Sequence, residues 1–473
     1  LARGLHFILA EREGRKDRAQ VAGQGVAWLM LGLLFCAPQL FPTLELITQM
    51  HRGSAEDPAF LAQHEMRPAQ ALEILVEPKT SSYRPFWERC AFLGGGALLL
   101  LLVAFTGKHG QRYFWAGMAA FGLLMAMGIH TPVYPGVTAL LPGAGLFRGP
   151  GRYLLLFTLG ATALVAMGAA SLHSRWRIYG GVAAGVLALV SGAQLTVFAL
   201  RVIETVEAGD LEVVPWLSLV REATGEDGRI ANTSTEDIGR CQVSGLDSVC
   251  GYEPMMLRRY AELMNAAQGA PPEKNMVIMA SVGSHPVVDM LGARGWLKRE
   301  GGYYRSPQDF RSTPIVRPNP GALPRAWLVN NAVVLESREE RLRVLAQGPW
   351  DPRKTVILEQ FPTEAPPVTT EGPAGRARVV SRRAGEYVLE AENGADAYLV
   401  LSEAYYPGWT AEVDGKPVEV VPANHLIQAI RLPPGKHVVR LGYRSRFLGA
   451  GLASALLAAL APAAIVLVRR RRR

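Results

Sequence analysis

The amino-acid sequence predicts a polytopic α-helical membrane protein of about six spans, carrying a large extracytoplasmic α+β domain that ends in a small antiparallel β-sandwich. Three observations predict it. There are six long stretches without a charge, Lys and Arg are unevenly distributed around them, and short strands with tight-turn signals recur near the C-terminus.

The chain has 473 residues, of which 49% are hydrophobic and 19% charged. The charged share lies below the ~25% usual for soluble domains. Disorder, collagen and small disulfide scaffolds are excluded by this balance and by a count of only four Cys. The apolar residues gather in stretches 21–40, 91–107, 113–129, 153–172, 179–199 and 447–468. Each approaches the ~17–25 apolar residues that cross a bilayer core as a helix, where every backbone polar group must be satisfied internally. Buried helices of a soluble protein would show a polar stripe, and these stretches do not.

The formal net charge of +9 follows the same division. Basic residues cluster at the stretch ends: Arg3, Arg12, Arg15, Lys16, Arg18, Lys108, Arg112, Arg175, Arg177 and the run Arg469 to Arg473. Set against Glu11, Glu13 and Asp17, these segments carry +11 and leave −2 for the rest of the chain. Lys and Arg stay cytoplasmic, so the charge is a topology signal. Nucleic acid is not an expected partner, since its footprint would be a basic face on a soluble domain.

This places the N-terminal basic run, the 107–112 and 173–178 turns and the C-terminal arginines inside. Loops 41–90 and 130–152 and the region 202–446 fall outside. The arginine run is either a stop-transfer anchor or a grip on acidic lipid head groups. Four regions are expected: a membrane region 1–201 with five spans, an α+β subdomain 202–316, a β-rich subdomain 317–446, and a final span with its tail, 447–473. Residue 1 is Leu, and an apolar turn at 5–10 precedes a basic run, like the end of an earlier membrane helix. The chain is expected to be the C-terminal part of a longer polytopic protein.

In the outer region the pattern predicts a helix over 214–224, a strand over 229–232 and a helix over 254–267; 317–324 (RPNPGALP) reads as a linker. Strands follow at 326–334, 354–359 and 387–392. Segments 409–413 and 418–421 flank Asp414-Gly415, a tight hairpin pair. Segments 427–432 and 437–443 flank Pro-Pro-Gly-Lys, which suits a type II turn and a second hairpin. Cys36 and Cys90 read as packed apolar residues. Cys241 and Cys250 are either a disulfide, which an oxidising compartment permits, or two thiols. Without a Cys-x-x-Cys pair or clustered His they are not metal ligands.

The run LVLSEAYYPGWTAEVDGKPVEVVPANHLIQAIRLPPGKHVVRLGY (399–443), leading directly into the last apolar stretch, resembles the C-terminal signature of the bacterial YfhO-like membrane proteins. APQLFPTLEL (37–46), LFRGPGRYLLLF (146–157), GYEP…RRY (251–260) and NPGALPRAWLV (319–329) match further elements in the family's order. The resemblance implies a GT-C glycosyltransferase architecture in a bacterial cytoplasmic membrane. Such an enzyme moves a sugar from a polyprenyl-phosphate carrier to a cell-envelope glycan on the outer face. It also implies a catalytic acid in a first outer loop near the N-terminus, for which this chain has no counterpart. No catalytic residue is therefore carried over.

The remaining polar residues are weighed on their own chemistry. Arg148 and Arg152 stand in an outer loop without an acid; a guanidinium fork there would grip a lipid-linked phosphate, or else would snorkel to head groups. Gln39 and Glu45 bracket the outer end of the first stretch, where a carboxylate could orient an acceptor hydroxyl or act as a base, or be an ordinary interfacial acid. Glu56, Asp57, Glu65, Glu73 and Glu77 read as a solvated loop. Tyr405, Tyr406 and Trp409 would stack on a sugar or fill the sandwich core. Gly181 and Gly185 make a weak helix-contact motif. No phosphate-binding loop, dinucleotide fingerprint, nucleophile elbow or zinc-hydrolase motif is present. Any chemistry rests on carboxylates, with or without a divalent cation.

Two function classes remain from sequence. One is a membrane glycosyltransferase, or its C-terminal portion. The other is a non-catalytic membrane protein whose outer domain binds glycan or organises an envelope assembly.

Overall fold

The structure, a computed structural model, describes residues 15–50, 64–74, 90–141, 149–203, 216–225, 228–232, 241, 244–251, 255–274, 283–298, 315–362 and 374–471. The chain divides into two compact units: Leu1–Val26 with Gly53–Val206, and Ala27–Arg52 with Glu207–Arg473.

In chain order the helices begin with α1 (Arg15–Phe35) and α2 (Ala37–Gln49), which meet at Cys36 with a 73° bend. The first unit then holds α3 (Gly95–Val103), α4 (Arg112–Ala126), α5 (Val133–Leu140) and the long α6 (Leu154–Val202). α3 and α4 both pack on α6, and glycines make the approach close. A Cβ on Gly168 would stand 1.8 Å from the Leu100 carbonyl oxygen, and one on Gly96 2.0 Å from that of Leu187. Without a hydrophobic drive between helices, such backbone proximity is how apolar helices gain packing. α6 also caps α3: Gln194 Oε1 accepts from Gly95 N–H at 2.7 Å, and Ser191 Oγ from Ala97 N–H at 2.6 Å. These satisfy donors that a helix start leaves open. Gly181 and Gly185 take no such part; nothing stands within 4 Å of a Gly185 Cβ.

The six-span expectation is overturned. Among the described residues one helix, Pro150–Arg201, is long and apolar enough to cross a membrane, or two if the bent pair Gly23–Phe35 and Ala37–Gln49 is a single span. Uncharged length is not helix length. Stretch 91–107 yields nine residues of α3 and a short 3₁₀ turn, about half a bilayer core at ~1.5 Å per residue. Stretch 113–129 ends as α4 before Gly128, whose φ of 56° is left-handed. Stretches 153–172 and 179–199 are joined in α6 across Arg177, where φ 49° and ψ −117° break the helix locally. The last stretch forms α11 (Leu448–Arg471), apolar through Val468 and followed by arginines. The fold also carries substantial β-structure.

The second unit contains α7 (Trp216–Thr224), α8 (Arg258–Ala267), α9 (Pro286–Met290), α10 (Arg338–Gln347) and three sheets. β1 (Arg229–Asn232), β2 (Ala293–Lys298) and β3 (Ile315–Pro318) form a small sheet. The others are built from β4 (Ala326–Val329), β5 (Asn331–Val334), β6 (Thr355–Leu358), β7 (Arg376–Arg383), β8 (Glu386–Asn393), β9 (Ala397–Leu401), β10 (Trp409–Val413), β11 (Lys416–Val418), β12 (Val421–Ala423), β13 (Ile427–Leu432) and β14 (Gly435–Tyr443). A five-stranded sheet runs β11-β10-β14-β8-β7, and a six-stranded sheet β4-β9-β13-β12-β6-β5.

Leu328, Leu389, Leu399, Val413, Ile430 and Leu441 fill the space between these two sheets. The other face of the six-stranded sheet, with Tyr398, Val400 and Ala429, packs against Leu263, Val287 and Leu342 of α8, α9 and α10. That sheet is covered on both faces, which is why β9 is buried at every residue and shows no alternation. The predicted 326–334 strand divides: β4 pairs with β9 and β5 runs parallel to β6. Segment 317–324 is packed, with Asn319 buried and donating to Asp289 Oδ1 at 2.8 Å and the Ala293 carbonyl at 2.9 Å.

Candidate functional site

In the second unit the segment Ser402 to Gly408 joins the two large sheets. Tyr405 N–H donates to the Leu426 carbonyl at 2.7 Å, and Arg444 N–H to that of Gly408 at 3.0 Å. Gly408 has φ 114°, and a Cβ there would stand 2.5 Å from the Arg444 carbonyl oxygen, so the segment closes on the end of β14 only with glycine.

This closure aligns four rings. Tyr406 meets Tyr443 at 5.9 Å, Tyr443 meets Trp409 at 5.7 Å, and Trp409 meets Tyr387 at 6.2 Å. Trp409 leans on the sandwich core, while Tyr443 stays exposed. The core and ligand-facing roles weighed for these aromatics are thus divided along one row. The Glu45 carboxylate of α2 is near enough to act on the hydroxyls of Tyr406 and Tyr443. Burial, followed by the Glu45 carboxylate and Tyr443, pushes the Tyr406 hydroxyl up to about 12. Burial and the same carboxylate raise Tyr443. Gln39, six residues earlier on α2, donates to Thr43 Oγ1 at 3.3 Å instead. α2 packs along α11, which starts five residues after Tyr443, so the row lies beside two apolar helices.

Two ionic networks hold the segment from below. On one side Tyr387 Oη donates to Glu403, which pairs with Arg229 at 3.6 Å; Arg229 also donates to the Ser402 carbonyl at 2.7 Å. Arg325 and Arg382 both grip Asp247. On the other side the Arg259 guanidinium lies 5.5 Å from the Tyr405 ring centre and pairs with Glu359. Glu262 accepts from His425 Nε2 at 2.9 Å and from Arg338 at 2.8 Å. Burial alone would raise the Glu262 carboxyl, but those two donors hold it at about 2.

The sequence did not single out Tyr443, Arg259, Glu359 or His425. Their signals were the Arg-Arg-Tyr and Asn-His fragments inside the resemblance, which lie far apart in sequence and converge through sheet topology. Cys241 and Cys250 are not bridged; Cys241 packs with Val220 and Leu297, Cys250 with Ala231 and Val249.

In the first unit Arg148 lies outside the described residues. Arg152 is exposed in the turn Pro150–Tyr153 that opens α6. Glu65 departs from the solvated-loop reading: it is largely buried and pairs with His130 at 3.0 Å. Glu56, Asp57 and Glu77 are outside the described residues. Among those described, no group of three or more His, Cys, Asp or Glu is gathered to hold a metal ion.

No curated protein and no solved structure matches the chain. Residues 377–454, from β7 to the first turns of α11, match the family model described as bacterial membrane protein YfhO, and over this C-terminal region the chain is similar to that family.

Proposed function

We propose that the chain serves sugar transfer from a polyprenyl-phosphate donor to a cell-envelope glycopolymer on the outer face of the bacterial cytoplasmic membrane. The observation that carries this is the Tyr406–Tyr443–Trp409 row with the Glu45 carboxylate near its tyrosine hydroxyls, beside apolar helices α2 and α11. Rings of this kind stack on sugar faces, and a carboxylate among them accepts hydrogen bonds from sugar hydroxyls. Arg152, with Arg148, would hold the donor phosphate as a fork holds its oxygens. The family match supports a bacterial membrane protein; in this reading the sandwich lies outside and the C-terminus in the cytoplasm.

The test compares envelope sugar composition in cells lacking the gene and in cells complemented with variants at equal protein level. Glu45→Gln is expected to lower transfer ~10–100-fold, the worth of one hydrogen bond to a charged group. Tyr406→Ala should act in the same direction, and Arg152→Ala should abolish transfer. Unchanged sugar content in the deletion strain would sink the proposal. Loss of glycan binding without loss of transfer would favour the non-catalytic role.

A further inference from the structure

We infer that the turn between α3 and α4 and the break in α6 together form a binding site for the head group of an acidic phospholipid. The site lies wholly in the first unit and does not depend on sugar transfer. Charge is the first observation. Residues 91–203 contain no Asp or Glu, yet Lys108, Arg112, Arg175 and Arg177 fall in two short segments of that stretch. Arg112 is committed to the turn itself. It donates to the Gly107 carbonyl and to Tyr113 Oη at 3.1 Å, with its guanidinium 4.7 Å from the Tyr113 ring centre. Lys108, Arg175 and Arg177 are exposed, and among the described residues none of them pairs with a carboxylate.

Packing brings the two segments to one end of the helices. His109 Nε2 lies 3.0 Å from Ser171 Oγ, and a Cβ on Gly107 would overlap that same oxygen. Arg175 follows Ser171 by one turn on the same helix face. At Arg177, with φ 49° and ψ −117°, the chain turns back on itself. A Cβ on Gly180 would overlap the Leu172 carbonyl oxygen, and one on Gly181 would stand 3.2 Å from His173 Nδ1. Residues eight apart in an unbroken helix are ~12 Å apart. The three exposed cations therefore share one tip, where their mutual repulsion is relieved by an anion from outside.

The surroundings select a lipid over a soluble anion. Phe105, Tyr113, Trp176, Ile178 and Tyr179 adjoin the cations and are 41% to 83% exposed. Aromatic rings beside Lys and Arg suit the bilayer interface, where the rings lie at head-group depth and the basic stems reach outward to phosphates. A nucleic acid or an acidic protein would leave this apolar collar in water.

The experiment uses the purified full chain in phosphatidylcholine vesicles with a trace of spin-labelled phosphatidylglycerol or spin-labelled phosphatidylcholine, and compares the immobilised fraction of each. The parent is expected to prefer phosphatidylglycerol. One Lys or Arg at an anionic surface is worth about fivefold in affinity, so Lys108→Gln and Arg175→Gln should each lower the preference by up to that factor. Lys108→Arg should keep it. Both side chains are exposed, so the melting temperature should not move. The same loss should be seen when Arg469 to Arg473 are also replaced by Gln. An unchanged preference in the Lys108→Gln, Arg175→Gln double variant would overturn the site. Loss of the preference in inorganic phosphate, but not in chloride of equal ionic strength, would overturn it too, by marking the tip as a site for free phosphate.

Discussion

Asn424 and His425 are buried and both have left-handed φ, 47° and 65°. Each such non-glycine residue costs ~1–3 kcal/mol, so the surroundings must hold them. Asn424 exchanges bonds with Ile357, its Oδ1 accepting at 2.8 Å and its N–H donating to the carbonyl at 2.7 Å. His425 is held by Glu262, and its carbonyl accepts from Arg259 at 2.9 Å. A pH dependence follows. Burial first, then the Arg259 and Arg341 charges, push the imidazole below its ordinary 6.5 against the pull of Glu262. The unfolded chain therefore binds this proton more readily, and stability falls as pH drops below about 6.5. Glu262, held at about 2 rather than 4.5, adds stability above about pH 4.5 that is lost toward pH 2. Melting temperature should fall steadily from pH 7 to pH 4, and His425→Gln should flatten the upper part of that slope. A wild-type curve that is level over this range would refute the account. Of the residues around the aromatic row, the sequence singled out Glu45, Tyr405, Tyr406 and Trp409. Arg259 and Glu359 gain their roles from each other across 100 positions, and His425 from Glu262 across 163.

At the scale of elements, turn chemistry was read correctly at Asp414-Gly415 and misread at Pro433 to Lys436. Both residues of the first pair have positive φ, and Val413 pairs with Lys416 across a tight hairpin. The second turn joins β13, which pairs with β9 and β12, to β14, which pairs with β10 and β8. It crosses between sheets, and local sequence does not encode which partner a strand finds. Likewise β11 and β12 are neighbours in sequence and lie in different sheets. The apolar stretches misled for a related reason: glycine serves both as a helix breaker and as a helix contact. Gly168 is of the second kind, set against the Leu100 backbone. Gly168→Leu must part α3 from α6, since backbone cannot yield as a side-chain end can. We expect a drop of several degrees in the unfolding temperature of detergent-purified protein, with Gly185→Leu, which faces open space, as the silent control. Equal stability of the two variants would remove close packing as the reason for Gly168.

At the scale of the whole molecule, the two units differ in what they present. α6 leaves Leu155, Tyr179, Leu189 and Leu200 mostly exposed, which suits lipid contact. The second unit instead carries three sheets with ion pairs such as Glu262–His425 packed between elements, together with the apolar helices α2 and α11. Sugar transfer on the outer face requires those sheets to be outside, and the hairpin tip at Lys416 offers a clean reporter. Lys416 is exposed, and among the cysteines Cys241 and Cys250 are buried, so replacing Cys36 and Cys90 by Ser leaves little background. In that background Lys416→Cys should react with a membrane-impermeant maleimide in intact cells whose outer barrier has been opened. Labelling should be as complete before lysis as after it. Labelling that appears only after lysis would put the sandwich in the cytoplasm. The aromatic row and Glu45 would then face away from polyprenyl-linked sugars presented outside, and the outer-face transfer reaction would fall with them.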